Sequence, residues 1–349
     1  MTIQVEILQF LHYNPSSSRV EIAAGLAEAP NERTLKRIIA ESVRSGDVVV
    51  EGKGKATRYS LSAQAHLMMP LNIDTYFDSE VDERRVQESF NFQLIREVLP
   101  QVTLFTAEET ARLETAHKNF LTNMSTLSDL EYRKEMERLG VDLSWKSSQI
   151  EGNTYSLLET ERLLKEKETA QGKTKEEAVM LLNHKDALDF ILGCPDYLKT
   201  LSVRRLEDIH SILTKELGVG NGIRKRRVGI IGTNYRPLDN EFQIREALED
   251  TCQLINGKDN VFEKSLLALV LLSYIQAFTD GNKRTARISS NAILIAWGYC
   301  PISFRTVDSV DYKTAMLMFY EHPMAFCSFS ISSSPSITTI CFPRQARVT

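Results

Sequence analysis

A chain of 349 residues has the length for roughly two domains of ordinary size. Hydrophobic residues are 42% and charged residues 25%, so wholesale disorder and collagen-like repeats are excluded. Lys plus Arg is 42 against 46 for Asp plus Glu. The resulting net charge of −4 excludes a surface given over wholly to polyanions but leaves room for a local basic site.

The N-terminal 62 residues read as one unit. Val5, Leu8 and Leu11 share a helical face, and Pro15 with Ser16–Ser18 ends it and caps the next. A short helix is predicted around Val20–Leu26, and a third over Glu32–Ser45 with Leu35, Ile38, Ile39 and Val43 on its apolar side. Val48–Val50 and Ala56–Leu61 read as two strands joined by the Gly52–Lys55 turn. Three helices and a basic hairpin resemble a winged helix-turn-helix. In that arrangement Arg33, Lys36 and Arg37 are the candidate DNA contacts. The unit holds eight Lys and Arg against seven Asp and Glu, a weak footprint for a phosphate backbone, so a protein-interaction module is the competing reading.

Residues 63–130 are expected to be a connector that becomes helical, with Thr106 and Glu109 as a capping box. Helical periodicity then dominates: Leu130–Leu139, Leu157–Lys165, Lys175–Leu192, Val203–Leu217, Ile244–Leu254 and Phe262–Ala277. Val228, Ile230 and Thr233 alternate as a short strand-like interruption. From 325 to 349 the chain turns Ser-rich and loses its periodicity, which reads as an atypical tail without chemistry.

Five scattered cysteines without a CxxC pair point to a reducing compartment without a disulfide framework. Glu6 and the lack of a basic start argue against a secretory leader. The longest apolar run, Leu266–Phe278, is too short to span a bilayer. The expectation is a soluble, cytoplasmic protein without a membrane partner.

The chemistry concentrates between two apolar segments, Leu266–Ile275 and Ile288–Trp297. The polar turn joining them directs backbone N–H groups and a helix N-terminus at one point, an arrangement suited to phosphate. Arg284 and Arg287 lie three apart on the helix that follows, placed to grip successive phosphates. Asp280 is the natural ligand for a Mg²⁺ bridging them.

The segment Gln276–Ala277–Phe278–Thr279–Asp280–Gly281–Asn282–Lys283–Arg284–Thr285–Ala286–Arg287 resembles the Fic-family motif HxFx(D/E)GN(G/K)RxxR. The resemblance covers about 130–320. It implies a mainly α Fic-type helical bundle with a short β-hairpin flap, preceded here by the α+β winged helix. Its expected units are 1–62, 63–130, 131–324 and 325–349. It also implies a protein adenylyltransferase that moves AMP from ATP, with Mg²⁺, to a Ser, Thr or Tyr hydroxyl of a target protein. On this resemblance Asp280 holds the metal and acts with Asn282 and Arg284 in catalysis. Gly281, Asn282, Lys283, Arg284 and Arg287 line the nucleotide, and Ile231, Gly232, Thr233 and Asn234 belong to the flap. Ser147–Asn153 is similar to the inhibitory motif (S/T)xxxE(G/N), making Ser147, Glu151 and Gly152 the restraint, with Glu151 directed at Arg287.

Two departures qualify the resemblance. Gln276 stands where the family has its histidine base, and an amide cannot take a proton near neutral pH. The chain is therefore expected to be inactive or weakly active. Lys283 stands where many adenylylating members have glycine, whereas the death-on-curing phosphotransferase also has lysine there. A phosphotransferase and a nucleotide-sensing DNA-binding regulator without transferase activity are the alternatives, and a homodimer is left open.

Overall fold

The structure is a computed structural model that describes residues 2–69, 76–84 and 86–323. The Ser-rich tail over 325–349 lies outside the described residues.

The N-terminal unit contains α1 (Ile3–Tyr13), α2 (Arg19–Gly25), α3 (Glu32–Arg44), β1 (Val48–Glu51) and β2 (Arg58–Leu61). Ser18 opens α2 with a full capping box to Glu21, and Asn31 caps α3 by accepting from Thr34 N–H. Strands β1 and β2 pair antiparallel, Val48 opposite Leu61 and Glu51 opposite Arg58. Ser17 adds an isolated bridge to Tyr59. Ile7, Leu11, Ile22, Leu35 and Ile39 form a small core separate from the main one. The unit is thus three helices followed by a two-stranded antiparallel hairpin. α4 (Ala63–Leu67) follows it directly.

The remaining helices are α5 (Ala107–Ser125), α6 (Asp129–Ile150), α7 (Leu157–Glu166), α8 (Lys175–Gly193), α9 (Val203–Thr214), α10 (Glu241–Gly257), α11 (Val261–Ile275), α12 (Asn282–Ala296) and α13 (Ser309–Glu321). The N-cap side chains of α5 (Thr106), α6 (Ser128), α7 (Ser156) and α8 (Thr174) each take part in a complete capping box. α11 is the axis: Leu267, Ala268, Val270, Leu271, Tyr274 and Ile275 have no exposed surface. A helix buried nearly all round needs neighbours on every side. They are α12, α10 and α13, while α9 and α8 pack against α12, and α6 packs against α8.

The connector is not a free linker throughout. Leu94, Ile95, Leu99, Val102 and Leu104 are buried in the main core, and Leu104 N–H donates to Glu263 Oε1 at 2.8 Å. Among the described residues, β1–β2 is the one two-stranded ladder. The 228–237 segment is instead a pair of extended arms around an Ile231–Gly232 turn, tied by one parallel bridge from Arg236 to Ser89 of the connector. Among the described residues no helix is long and apolar enough to cross a membrane.

Candidate active site at the α11–α12 turn

α11 ends at Ile275, and Gln276 follows in the left-handed conformation (φ 52°, ψ 53°). Such a residue costs about 1–3 kcal/mol and persists only where its surroundings determine it. Here the Gln276 carbonyl accepts from Arg224 Nε at 2.6 Å, and its side-chain Nε2 donates to Ser273 O at 2.6 Å. Its amide is thus folded onto the end of its own helix.

The turn closes on itself two residues later. Asn282 Oδ1 accepts from Phe278 N–H and its Nδ2 donates to Phe278 O, both at 2.8 Å. Gly281, at φ +80°, is the N-cap of α12. A Cβ there would lie 3.0 Å from Thr214 Cγ2 and 3.4 Å from the His210 ring, so glycine is required by both backbone and space. The first N–H groups of α12 have no acceptor within the helix and face the turn, as at other helix N-termini.

Arg284 and Arg287 leave α12 inward and are almost wholly buried, 2% and 0% exposed. Arg284 donates to Asp280 Oδ2 at 3.0 Å and to Leu213 O, at the end of α9, at 3.3 Å. The Asp280 side chain is 65% exposed. Arg287 meets the C-terminal turn of α6: Nε donates to Ser147 Oγ at 2.8 Å, and Nη2 donates to Ser147 O at 3.0 Å and Glu151 Oε1 at 2.7 Å. The other face of its guanidinium lies against the Tyr312 ring.

Glu151 sits where it does because α6 ends there. Gly152, at φ +97°, donates to Gln149 O, and Asn153 N–H donates to Ser148 O, the paired bonds of a Schellman stop. Desolvation pushes the Glu151 carboxyl up, but the Arg287 and Lys283 charges and the Arg287 hydrogen bond outweigh it, leaving it below its ordinary value. Lys283 is half-buried on the same turn.

Residues 231–234, expected to form the flap, meet α13 and the connector. Ile231 is 98% exposed, and Gly232 (φ +89°) passes over Leu317 of α13. Thr233 Oγ1 accepts from Tyr235 N–H, and Asn234 Nδ2 donates to Val81 O and Asp82 Oδ1 of the connector. Arg84 donates to Gly232 O at 3.2 Å.

Two histidines lie near this turn. His210 on α9 stacks on Phe278 with ring centroids 3.8 Å apart, and its Nε2 bonds Asp280 O at 2.9 Å. It therefore reaches the turn through Nε2, while its Nδ1 has no hydrogen-bond partner among the described residues. Burial lowers its pKa, and the Asp280 carbonyl opposes the shift. His184 of α8 is fully buried, and desolvation, with Arg287 and Arg284 nearby, takes it down to about 3. Neither was marked by a motif, since a lone histidine in a helical pattern looks like core.

The candidate DNA contacts lie on the solvent side of α3, opposite Leu35, Ile38 and Ile39. Lys36 pairs with Glu32 and Arg37 with Glu41, each at 2.7 Å, while Arg33 is exposed. The face is charge-mixed. A cavity of about 600 Å³, whose lining includes none of the α11–α12 turn, is lined by His12 of α1, His66 of α4, Arg84, Asn234 and His322 among others.

Residues 200–294, which include this turn, match the model of the Fic/DOC family. The chain carries a Fic domain and is homologous to proteins named as Fic adenylyltransferases. It is 27% identical over 174 residues to protein adenylyltransferase fic-1 of Caenorhabditis elegans, covering 48% of this chain and 34% of that protein. It is 31% identical over 176 residues to protein adenylyltransferase Fic of Nematostella vectensis, covering 48% and 40%. The chain therefore spans well under half the length of these relatives. In fold it is similar to residues 134–508 of C. elegans Fic-1 (TM-score 0.52, 21% identity, 68% of this chain and 72% of that one). It is also similar to a Fic domain containing signaling protein from Bacteroides thetaiotaomicron (TM-score 0.54, 17% identity, 66% and 92%).

The Glu151–Arg287 pair predicts a pH signature. A carboxyl whose pKa falls on folding stabilises the protein above its unfolded value, near 4.5 here, and loses that contribution as pH drops through the folded value. Glu151→Gln is expected to lower unfolding stability by about 3 kcal/mol at neutral pH, the low end for a broken buried pair. Urea titrations of both proteins should show the gap narrowing progressively as pH falls below about 4.5. A gap independent of pH would remove the charge pair as its cause.

Proposed function

We propose that the chain is a protein adenylyltransferase that transfers AMP from ATP to a hydroxyl of a target protein, held back by Glu151 and impaired by Gln276. The observation that carries this reading is the α11–α12 turn, with two buried arginines and a helix N-terminus converging beside an exposed carboxylate. The names of the relatives in which the same domain occurs support AMP as the transferred group.

On this reading the α12 amides, Arg284 and Arg287 take the triphosphate, and Asn282 keeps the turn in shape for it. Asp280 suits Mg²⁺: one carboxylate oxygen faces Arg284, the group is open to solvent, and no cage of three or more metal-ligating side chains occurs among the described residues. Mg²⁺ is commonly held by one or two carboxylates together with substrate phosphates, where it neutralises charge on the phosphates. On this reading an extended target segment adds as a strand to the backbone from Ile231 to Asn234. The target oxygen then bonds to the α-phosphorus, the bond to the β-phosphate oxygen breaks, and pyrophosphate leaves. The hydroxyl proton has to go to a base. Gln276 is in the base position, cannot accept it, and is bonded to Ser273.

Glu151 acts by occupying Arg287. A guanidinium engaged by a carboxylate is not free for the γ-phosphate, and the α-phosphate then sits out of line for attack. Arg287 also favours AMP over phosphate transfer, because the death-on-curing motif lacks this arginine. The winged helix supplies a DNA contact through Arg33, Lys36 and Arg37, the observation in its favour being their common solvent face on α3.

Two outcomes follow. Gln276→His is expected to raise self-adenylylation by about 10²–10⁴-fold, the usual worth of a positioned base. Glu151→Gly should raise it further in that background and do little where Gln276 is kept. Labelled AMP appearing equally fast with Gln and His at 276 would remove residue 276 from the chemistry. For the winged helix, Ala at 33, 36 and 37 together should abolish a low-salt duplex shift and its salt dependence. An unmodified chain that shifts no duplex in low salt leaves this unit as a protein-interaction module.

A further inference from the structure

Arg224 lies outside the Fic motif, yet it touches more of the site's backbone than any motif residue. It stands at the entry of the flap and is only 3% exposed. Its N–H donates to Ala277 O at 3.0 Å, so its main chain lies along the start of the α11–α12 turn. Its guanidinium then spreads over three carbonyls: Nε to Gln276 O at 2.6 Å, Nη1 to Arg226 O at 2.8 Å, and Nη2 to Leu238 O. Arg226 precedes the 228–237 segment that carries the flap, and Leu238 follows it. The nearby carboxylates Glu241 and Asp239 pair instead with Lys225, at 3.4 Å, and Arg227, at 2.7 Å. The burial of this cation lowers its pKa, with Tyr235 and Asp239 opposing the shift.

We infer that Arg224 is a positioning residue that locks the target-binding flap to the base position, setting the distance between a bound hydroxyl and side chain 276. The inference rests on the AMP-transfer reading and deepens it. The geometry requires the two ends of the flap and the left-handed residue 276 to share one rigid, planar group. A residue in that conformation, with its carbonyl unbonded, relaxes toward ordinary backbone angles and swings its side chain away. Lysine carries the charge but has no fork, and reaches fewer of the three carbonyls. The phosphate cradle hangs from a different set of bonds, Asn282 to Phe278 and the two arginines of α12. Loss of Arg224 therefore separates hydroxyl positioning from nucleotide binding.

The test uses the full chain carrying Gln276→His and Glu151→Gly, with Arg224→Lys or Arg224→Met added. Self-adenylylation is measured against ATP-Mg²⁺ concentration. Arg224→Met should lower kcat about tenfold or more with KM for ATP changed less than about twofold, and Arg224→Lys should fall between it and the parent. Amide hydrogen exchange of the same proteins should quicken over 224–238 and stay unchanged in α11 and α12. A kcat within about twofold of the parent, or flap exchange at the parental rate, overturns the positioning role. Exchange that quickens throughout α11 and α12 while KM rises in step with the loss of kcat makes Arg224 a structural residue only. Should the Gln276→His parent transfer no AMP, the function reading fails, and exchange, which needs no turnover, still decides the tether.

Discussion

Two guanidinium groups, those of Arg284 and Arg287, are taken out of water beside each other at the centre of the helical body, and the surrounding elements are arranged to meet them. A buried cation is tolerated only when paired and hydrogen-bonded. Arg287 is met by the last turn of α6, where a carbonyl, a hydroxyl and a carboxylate converge at the negative end of the helix. Arg284 is met by the last turn of α9 and by Asp280. Three helices that are distant in sequence therefore end at one place, and the polar turn between α11 and α12 closes it.

The proposed regulation depends on the same requirement. Phosphate and carboxylate satisfy a guanidinium through the same fork geometry. The Schellman stop at Gly152 fixes Glu151 at the end of α6, so the carboxylate is presented by backbone geometry and not by a mobile loop. On the reading proposed above, nucleotide has to displace a partner that already satisfies Arg287, and the chain gains stability from the contact that restrains it. On the same proposed reading Gln276 adds a second restraint of a different kind, because it changes proton transfer and leaves the phosphate contacts in place.

Much of this was legible from residue types at fixed spacing. The Thr106–Glu109 box, the alternation of 48–61 and the apolar runs flanking the turn all correspond to elements of the structure. α6 was read as a shorter helix, Leu130–Leu139, because Gly140 and Asp142 break the apolar period. Gly140 is there for close packing against Lys185 and Leu188, and Asp142 pairs with Arg138 and Arg305. α12 begins six residues before its apolar run, since Gly281 in the left-handed region starts it without a side-chain cap. The alternation of Val228, Ile230 and Thr233 suggested a strand, but the partner of this segment is Ser89, far away in the chain. Arg224 carried no signal in the sequence, because it acts on the backbone of a turn more than fifty residues distant.

The central claim is that Glu151 and the γ-phosphate contend for Arg287. It is tested most directly by calorimetric titration of ATP-Mg²⁺ and ADP-Mg²⁺ into the full chain and into its Glu151→Gly variant. The account predicts a gain in ATP affinity of about tenfold or more, with ADP affinity changed by less than about twofold. Equal gains for both nucleotides, or none for ATP, would contradict it.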